Sequence, residues 1–221
     1  MKFIITGSGG RMGQSLIGIL NKNNQQVVEL NRKSDLSLIS VKEKSVIIDF
    51  SSPDYFNKIL NWSLENKIPF VSGTTGLYDE QFTDLAKASA DIPVLWAPNM
   101  SMGVAFVNKL LTSFNELSED FDFQVEEIHH RHKLDKPSGT GILLQDTLKS
   151  AVKKELPEVV SVRGGGVYGV HKIWAFSDEE TISIEHQALN RDVFASGAIK
   201  CANWLINKGP GSYSINNVLG A

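Results

Sequence analysis

Several features that assign a chain to a special class are scarce here. The 221 residues include one cysteine, Cys201, so no disulfide can form within the chain. Lys and Arg total 22 against 25 Asp and Glu, so the net charge of −3 provides no overall attraction to nucleic acid or to an anionic membrane. No apolar run approaches the roughly 20 residues of a bilayer span, and Thr6 and Gly7 interrupt the apolar run Phe3–Ile5 too early for a signal peptide. We therefore expect a cytoplasmic protein without nucleic-acid or membrane partners.

The first half of the chain alternates short apolar runs with helical patterns. The predicted strands are continuous apolar runs, which is typical of a parallel sheet with helices on both faces. One helix should start after Ser52, whose hydroxyl would cap it, with Pro53 in the first turn. The fold class is thus predicted to be α/β, with a doubly wound Rossmann-type parallel sheet. The predicted strands are Lys2–Thr6, Val27–Leu30, Ser45–Phe50, Pro69–Val71 and Pro93–Trp96, and the predicted helices are Arg11–Lys22, Tyr55–Asn66 and Asp79–Ala90.

The pattern changes after Asn99. A single long helix is predicted over Ser101–Leu117, then an alternating strand over Phe121–His129, a helix from about Gly139 to Lys154, and strands near Val159–Arg163, Gly169–Phe176 and Thr181–Leu189. The short separation of the last two strands predicts antiparallel pairing. The final helix, Asp192–Asn207, could pack back on the first sheet. We therefore predict a first domain of residues 1–100 and 192–221, and a smaller α+β domain of residues 101–191 with a mixed or antiparallel sheet.

A glycine-rich loop lies between the first strand and the first helix. It reads Gly7-Ser8-Gly9-Gly10-Arg11-Met12-Gly13. Glycines at this place let the backbone approach a pyrophosphate, whose charge then lies at the helix N-terminus. The spacing is G-x-x-G-x-x-G rather than the strict fingerprint, because Met12 stands where a glycine is usual. The loop predicts dinucleotide binding, and the alternative is a tight turn without a ligand.

The end of the second predicted strand bears on the choice of cofactor. An acidic residue there would bind the ribose of NAD. Here Glu29 lies inside the strand, and Asn31-Arg32-Lys33 follow it. Two cations suit a 2′-phosphate better, so NADPH is favoured over NADH, with Arg32 as a candidate ligand. The alternative is a solvated basic turn.

Two further loops follow strands of the predicted sheet. Ligands of open α/β sheets bind beyond the carboxyl ends of the strands, so these loops should face the same crevice as the glycine loop. Each loop alone is a weak signal, and their shared edge is the argument for cofactor binding. The candidate cofactor residues in them are Gly73, Thr74 and Thr75, and Ala97, Pro98, Asn99 and Met100.

The segment Glu127–Thr140 is the densest in polar groups. Its sequence is Glu-Ile-His-His-Arg-His-Lys-Leu-Asp-Lys-Pro-Ser-Gly-Thr, and it runs from a strand end through a loop into a helix. The free N–H groups of that helix start can bind a carboxylate, Lys133 adds a cation, and a histidine can donate a proton near neutral pH. The segment therefore predicts a site for a small anion with a general acid.

Two alternatives remain at this segment, and a further question concerns Arg163 outside it. The segment could be a polar surface loop, or a metal site using His130, His132 and Asp135. The chain has neither an H-E-x-x-H motif nor paired cysteines, so we predict no metal. Arg163, the Gly164–Gly166 run and His171 could complete an anion pocket, or could belong to a hairpin connection.

The same segment resembles the E-x-H-H-x-x-K-x-D-A-P-S-G-T signature of the dihydrodipicolinate reductases of lysine biosynthesis. The Gly-Arg-Met-Gly end of the first loop, Gly73–Gly76, Ala97–Asn99 and Arg191–Ala195 are similar to other marks of that family, in the same order. Lys136, Gly141 and Met100 depart from it, and the stretch between Leu30 and Ser45 is short for it.

The resemblance implies an enzyme that uses NADPH or NADH to reduce 4-hydroxy-tetrahydrodipicolinate, a small cyclic dicarboxylate, to tetrahydrodipicolinate. It implies His129 as proton donor and Lys133 as second catalytic residue. It also implies that the second domain binds substrate and forms a homotetramer through its sheet. Substrate carboxylates would be bound at His130, Ser138, Gly139 and Thr140. A cofactor-binding sensor without turnover and a metal-dependent hydrolase are the rival classes.

Overall fold

Two sheets organise the chain, each with its own hydrophobic core. The structure is a computed structural model, and it describes residues 1–41, 43–117 and 119–220. Residues Met1–Met102 and Asp192–Ala221 form one unit, called unit 1 below, and residues Gly103–Arg191 form the other, unit 2.

Unit 1 is built on a six-stranded sheet in the order β10-β5-β4-β3-β1-β2, in which every neighbouring pair is parallel. Its two faces are covered by helices α1 and α6 on one side and by α2 and α3 on the other. The predicted doubly wound α/β sheet is confirmed. The strands are β1 (Lys2–Thr6), β2 (Gln26–Leu30), β3 (Ser45–Asp49), β4 (Phe70–Ser72), β5 (Pro93–Trp96) and β10 (Gly211–Tyr213), and the helices are α1 (Arg11–Lys22), α2 (Pro53–Glu65), α3 (Asp79–Ala88), α6 (Asp192–Leu205) and α7 (Ile215–Val218).

The strands of this sheet are buried because their side chains are apolar on both faces. In β3 every residue is buried, and alternate residues enter the two cores: Val46 and Ile48 contact one, Ile47 the other. Helix α6 packs with the first of these cores through small side chains such as Ala198 and Ala202, which confirms that the last helix returns to the first sheet. The edge strand β10 and the short helix α7 were not predicted.

Unit 2 has a four-stranded mixed sheet in the order β7-β6-β8-β9. Strands β8 and β9 are antiparallel, as predicted, whereas β6 and β7 are parallel and are connected through α5. One face carries Phe123, Val125 and Ile173, which pack against α5 and a 3-10 helix. The elements are α4 (Met102–Leu110), the 3-10 helix Leu111–Leu117, β6 (Asp122–His129), α5 (Gly139–Val152), β7 (Val160–Arg163), β8 (Gly169–Phe176) and β9 (Thr181–Ala188).

The prediction of one long helix over Ser101–Leu117 is wrong. The α-helix ends at Leu110, and a tighter 3-10 helix follows, which places Leu111 and Phe114 in the core of unit 2. Both conformations present apolar residues at a spacing of three to four, so the hydrophobic pattern alone does not distinguish them. Across the described residues, no helix is both long and apolar enough to cross a membrane.

Candidate active site

The glycine loop of unit 1 has a shape that only glycines allow. Gly7 has a φ of +72°, and a Cβ there would lie 2.2 Å from the carbonyl oxygen of Phe50. A Cβ at Gly13 would lie 2.3 Å from the carbonyl oxygen of Gly7. These two positions fold the loop tightly between β1 and α1, while Gly9 and Gly10 remain exposed at the start of α1. An open backbone at a helix N-terminus suits a pyrophosphate, so the loop fits a dinucleotide.

A cavity of about 200 Å³ adjoins this loop and is lined by Gly7, Gly9, Gly10, Asn31, Arg32, Phe50, Ser51, Ser52 and Tyr55. The side chain of Arg32 is 66% exposed, and its Nη2 donates to Ser52 Oγ at 2.7 Å and lies 3.6 Å from Asp54. The hydroxyl of Ser52 therefore contacts Arg32 rather than capping α2 as expected, although Pro53 does begin that helix. A guanidinium is thus held beside the glycine loop.

Asp49 connects three loops at the carboxyl edge of the sheet, and sequence reasoning assigned no role to it. Its carboxylate is fully buried and accepts hydrogen bonds from Thr6 Oγ1, from Ser72 Oγ at 2.8 Å and from Thr74 Oγ1 at 2.7 Å. The N–H of Ser51 donates to it at 3.2 Å. Because these donors follow or end β1, β3 and β4, Asp49 fixes the loop after β3 relative to two of the loops predicted to hold the cofactor, the glycine loop and the Gly73–Thr75 loop.

The remaining residues predicted to bind the cofactor differ in the solvent exposure of their side chains. The Thr74 side chain is buried, whereas Thr75 and Pro98 are exposed and Asn99 is partly exposed. Met12 and Met100 pack into the core of unit 1, as Ala97 does, so their contribution to a ligand would come from the backbone. Ser8 is buried, Gly73 packs against the ring of Phe50, and Arg11 is exposed in the first turn of α1.

In unit 2 the predicted proton donor, His129, is the last residue of β6 and is buried. Its Nδ1 hydrogen-bonds to Oε2 of Glu127, which lies two residues earlier and therefore on the same face of the strand. The other ring nitrogen, Nε2, faces Gly169 on β8: a Cβ at that glycine would lie 3.0 Å from Nε2. His130 lies beyond the strand and is only partly buried, so the two histidines do not share one environment.

Arg163 is bound within the protein rather than forming an open anion pocket. Its Nη1 donates to Glu127 Oε2 at 2.9 Å, and its Nη2 donates to Glu127 Oε1 at 2.7 Å and to the carbonyl oxygen of Asp135 at 2.6 Å. The Asp135 side chain in turn pairs with Lys133 Nζ at 2.9 Å. The alternative that assigned Arg163 to an anion pocket is therefore wrong, because a buried carboxylate already occupies its guanidinium.

The start of α5 is formed by Ser138, Gly139 and Thr140. Ser138 is buried: its hydroxyl accepts from Gly141 N at 3.0 Å and its own N–H donates to Glu127 Oε1 at 3.2 Å. Its polar groups thus cap the helix and bind Glu127. Gly139 is exposed and Thr140 partly exposed, so the first turn of α5 presents its backbone at the surface.

His171 on β8 lies beside the predicted proton donor, with its ring centroid 5.2 Å from that of His129. It is 4% exposed, and neither of its ring nitrogens has a hydrogen-bond partner among the described residues. Burial, followed by the charges of His129 and His186, lowers the pKa of His171 to about 3. This ring is therefore neutral at physiological pH.

The pKa values at the site follow from burial and charge. Burial alone would raise the pKa of Glu127, but hydrogen bonds from Arg163 and His129 outweigh it and hold the pKa at about 2. Burial lowers the pKa of His129; the hydrogen bond to Glu127 opposes this shift, whereas the charges of Lys133 and Arg163 add to it. The site thus combines a permanent carboxylate with a histidine that loses its proton more readily than usual.

The metal alternative named His130, His132 and Asp135. The rings of His130 and His132 have centroids 6.3 Å apart, and the Asp135 carboxylate pairs with Lys133. In the described ranges no three His, Cys, Asp or Glu side chains form a group that could hold a metal ion.

Sequence reasoning assigned no role to Glu127, Asp49 or Gly169. For Glu127 a signal existed, because Phe123, Val125, Glu127 and His129 alternate along one strand and therefore share its protected face. Asp49 and Gly169 act through contacts with residues distant in the sequence, and no local pattern marks them.

Comparison with known proteins agrees with both halves of this description. The family models for the N-terminus and the C-terminus of dihydrodipicolinate reductase match residues 1–100 and 103–219. A 4-hydroxy-tetrahydrodipicolinate reductase of Bdellovibrio bacteriovorus is 47% identical, with 99% of this chain and 96% of the relative covered. The Rickettsia akari enzyme of the same name is 34% identical, with 97% and 94% covered.

A solved structure shows the same fold. The dipicolinate-bound dihydrodipicolinate reductase from Paenisporosarcina sp. TG-14 superposes with a TM-score of 0.77 at 21% identity, and 97% of each chain is covered. The two family models and the similarity to these relatives extend over almost the whole chain, and the segment from Glu127 to Thr140 lies within the match. The chain therefore belongs to the dihydrodipicolinate reductase family.

Proposed function

We propose that this protein is an NAD(P)H-dependent 4-hydroxy-tetrahydrodipicolinate reductase that forms tetrahydrodipicolinate for diaminopimelate and lysine synthesis. The observation that carries the proposal is the pair of bonds made by Glu127, which joins the ring of His129 to the start of α5 at Ser138. One buried carboxylate thereby links a proton donor to a helix N-terminus that suits an anionic substrate. Unit 2 is proposed as the substrate domain and unit 1 as the cofactor domain.

Substrate carboxylates are proposed to bind at the first turn of α5 and at His130. Gly139 and Thr140 stand in the first turn of α5, at the positive end of the helix dipole, which favours a negatively charged group. Ser138 contributes by capping this turn. Lys133 supplies a cation that pairs with Asp135 in this structure and whose side chain is 24% exposed. A dianion needs such cations and donors, because charge-assisted hydrogen bonds are about twice as strong as neutral ones.

His129 is proposed to donate a proton to the substrate, with Lys133 as the second catalytic residue. The overall reaction adds a hydride and a proton to the substrate and releases its 4-hydroxyl group as water, and a positioned acid neutralises the negative charge that develops on hydride addition. The cofactor supplies the hydride when it is bound. The glycine loop with Gly7 and Gly10, the Gly73–Thr75 loop and the Ala97–Met100 loop are proposed to hold it.

The direct test is to follow the loss of NADPH or NADH absorbance with freshly generated 4-hydroxy-tetrahydrodipicolinate. Turnover with either cofactor supports the proposal, and cofactor binding without turnover would contradict it. His129→Ala and Lys133→Ala should each lower kcat by about 10²–10⁴-fold, which is the usual contribution of acid–base catalysis. Lys149→Ala is a matched control, because Lys149 pairs with Glu155 on the surface. Near-normal turnover in His129→Ala would contradict the role of the histidine.

NADPH is proposed as the preferred cofactor. The support is Arg32, which lines the cavity at the glycine loop and is held by Ser52. Its guanidinium can bind a 2′-phosphate through two parallel hydrogen bonds. Arg32→Ala should lower kcat/KM for NADPH and leave that for NADH nearly unchanged, so that NADH acts as the internal control. An equal loss with both cofactors would contradict selection of the phosphate by Arg32.

A homotetramer assembled through the sheet of unit 2 is also proposed. The face of that sheet opposite α5 carries the exposed side chains of Val160, Val162 and Phe176, together with Val170 and Trp174. The same face carries the charged side chains of Glu126, Lys172 and Glu185, and a mixture of exposed apolar and paired charged groups suits a second copy of the chain. Light scattering should give four times the chain mass, and Val162→Glu should shift it to smaller species. A monomer in the unmodified protein would contradict this proposal.

The cytoplasmic location stays a prediction.

A further inference from the structure

Glu127 is a buried carboxylate in which each oxygen accepts two hydrogen bonds. Oε2 accepts from His129 Nδ1 and from Arg163 Nη1, and Oε1 accepts from Arg163 Nη2 and from Ser138 N. All four partners approach it as donors. The side chain is fully buried, so water does not satisfy these oxygens.

The four donors around position 127 can all be satisfied by the carboxylate of a glutamate but not by the amide of a glutamine. A glutamine at position 127 would have to turn its NH₂ group either toward His129 and Arg163 or toward Ser138 and Arg163. Either orientation opposes donors to donors, because a guanidinium and a backbone N–H cannot accept. The bidentate pairing with Arg163 therefore keeps Glu127 both ionised and fixed in orientation.

The same geometry decides which nitrogen of His129 carries a proton toward Glu127. An ionised carboxylate only accepts hydrogen bonds, so Nδ1 must be the donor in this pair. The second nitrogen, Nε2, lies beside Gly169, whose backbone approaches so closely that a Cβ there would lie 3.0 Å from Nε2. A hydrogen bond at one ring nitrogen is the usual means by which proteins select the state of the other.

We propose that Glu127, held by Arg163, is the positioning residue of the proton donor: it fixes His129 with Nδ1–H toward the protein and leaves Nε2 as the nitrogen that delivers the proton. The assignment rests on the proposed reductase activity only for its kinetic consequence, since the tautomer is a property of the free protein. Glu127 stays ionised during turnover and stabilises the protonated ring.

The charged and titratable groups around His129 define the expected pH effect. Glu127 on β6 is the negative group, Arg163 on β7 and Lys133 in the following loop are positive, and His171 on β8 is neutral. Of these, only Glu127 raises the pKa of His129, and the others that act on it lower it. Loss of the carboxylate charge therefore removes the stabilisation of the imidazolium and shifts the protonation of His129 to lower pH.

The kinetic test compares Glu127→Gln with Glu155→Gln, the same chemical change at an exposed carboxylate that pairs with Lys149. Glu127→Gln should lower kcat by about 10–100-fold, the usual effect of removing the partner that orients a functional histidine, with a smaller change in KM. The descending alkaline limb of kcat/KM should also move to lower pH. Glu155→Gln should match the unmodified enzyme. An unchanged kcat with an unmoved limb in Glu127→Gln would overturn the proposal.

The second test uses the unmodified protein and does not depend on how the variant folds. Nitrogen-15 NMR of the five histidines, with the His129 signals assigned from the spectrum of His129→Gln, reports which nitrogen is protonated in the neutral ring. The proposal expects Nδ1–H for neutral His129, and Nε2–H would overturn it. If the protein lacks reductase turnover but shows the Nδ1–H tautomer, the proposed function fails while the positioning role stands.

Discussion

Replacement of His171 by phenylalanine should make the protein less sensitive to acid. The buried ring of His171 has a pKa of about 3 in the folded protein, against 6.5 for an exposed histidine. Between these values the unfolded chain binds a proton that the folded protein does not, so stability falls as the pH falls through this window. From pH 7.5 to pH 5 this group alone lowers the free energy of unfolding by about 2 kcal/mol.

Phenylalanine removes the titration and keeps an aromatic ring beside His129. It also removes two ring nitrogens that have no partner among the described residues. Any packing cost of the larger ring acts at both pH values and cancels in the difference. The loss of stability between pH 7.5 and pH 5 should therefore be about 2 kcal/mol smaller in His171→Phe than in the unmodified protein.

The measurement is urea unfolding followed by far-UV circular dichroism at both pH values, with all samples at one protein concentration because association would shift the midpoint. His171→Leu provides a second variant that also lacks the titrating group and has a smaller side chain. An equal pH dependence in the unmodified protein and both variants would refute the reasoning, because it would mean that His171 binds its proton equally well in the folded state.

Two further substitutions test contacts described above. Gly169→Ala would place a Cβ 3.0 Å from His129 Nε2 and should therefore lower kcat. Cofactor affinity, measured by fluorescence titration, should stay unchanged. An unaltered kcat would show that Gly169 does not constrain the position of Nε2. Asp49→Asn should lower the free energy of unfolding by about 1–3 kcal/mol, because the amide presents donors where the carboxylate accepts four bonds. Asp91→Asn, at a surface pair with Lys67, is its control and should change stability by less than about 0.5 kcal/mol.

Most of unit 1 could be predicted from the sequence because its strands are apolar on both faces. Runs such as Val46–Ile48, alternating along the chain with helical patterns, are typical of the centre of a parallel sheet covered on both faces. Strand β10 escaped prediction because Gly211, Ser212 and Tyr213 have little apolar character, and the strand exists through its pairing with β5. Pairing partners distant in the sequence leave no local signal.

The candidate site likewise has parts that a local sequence pattern predicts and parts that depend on contacts between residues distant in the sequence. The loops and the His129–Lys133 segment are continuous in the sequence, and the glycines, histidines and hydroxyls in them indicate their chemistry directly. For Arg163 the sequence left two alternatives open, an anion pocket and a hairpin connection, because its partner could not be identified from spacing. Only the pairing of β6 with β7, which sets His129 opposite Arg163, brings the guanidinium to Glu127.

The parallel pairing of β6 and β7 fixes the position of His129 relative to Arg163 and leaves the loop after β6 outside the strand ladder. Backbone hydrogen bonds between these strands set the position of His129 relative to Arg163, whatever the sequence of the loop after β6. Residues 130–138 leave β6 and lead into α5 outside that ladder. A longer or shorter loop would therefore leave the strand pairing that positions His129 intact. A change in its charge, at Lys133 above all, would still shift the pKa of His129, so the position of this ring and its acidity are set by different parts of unit 2.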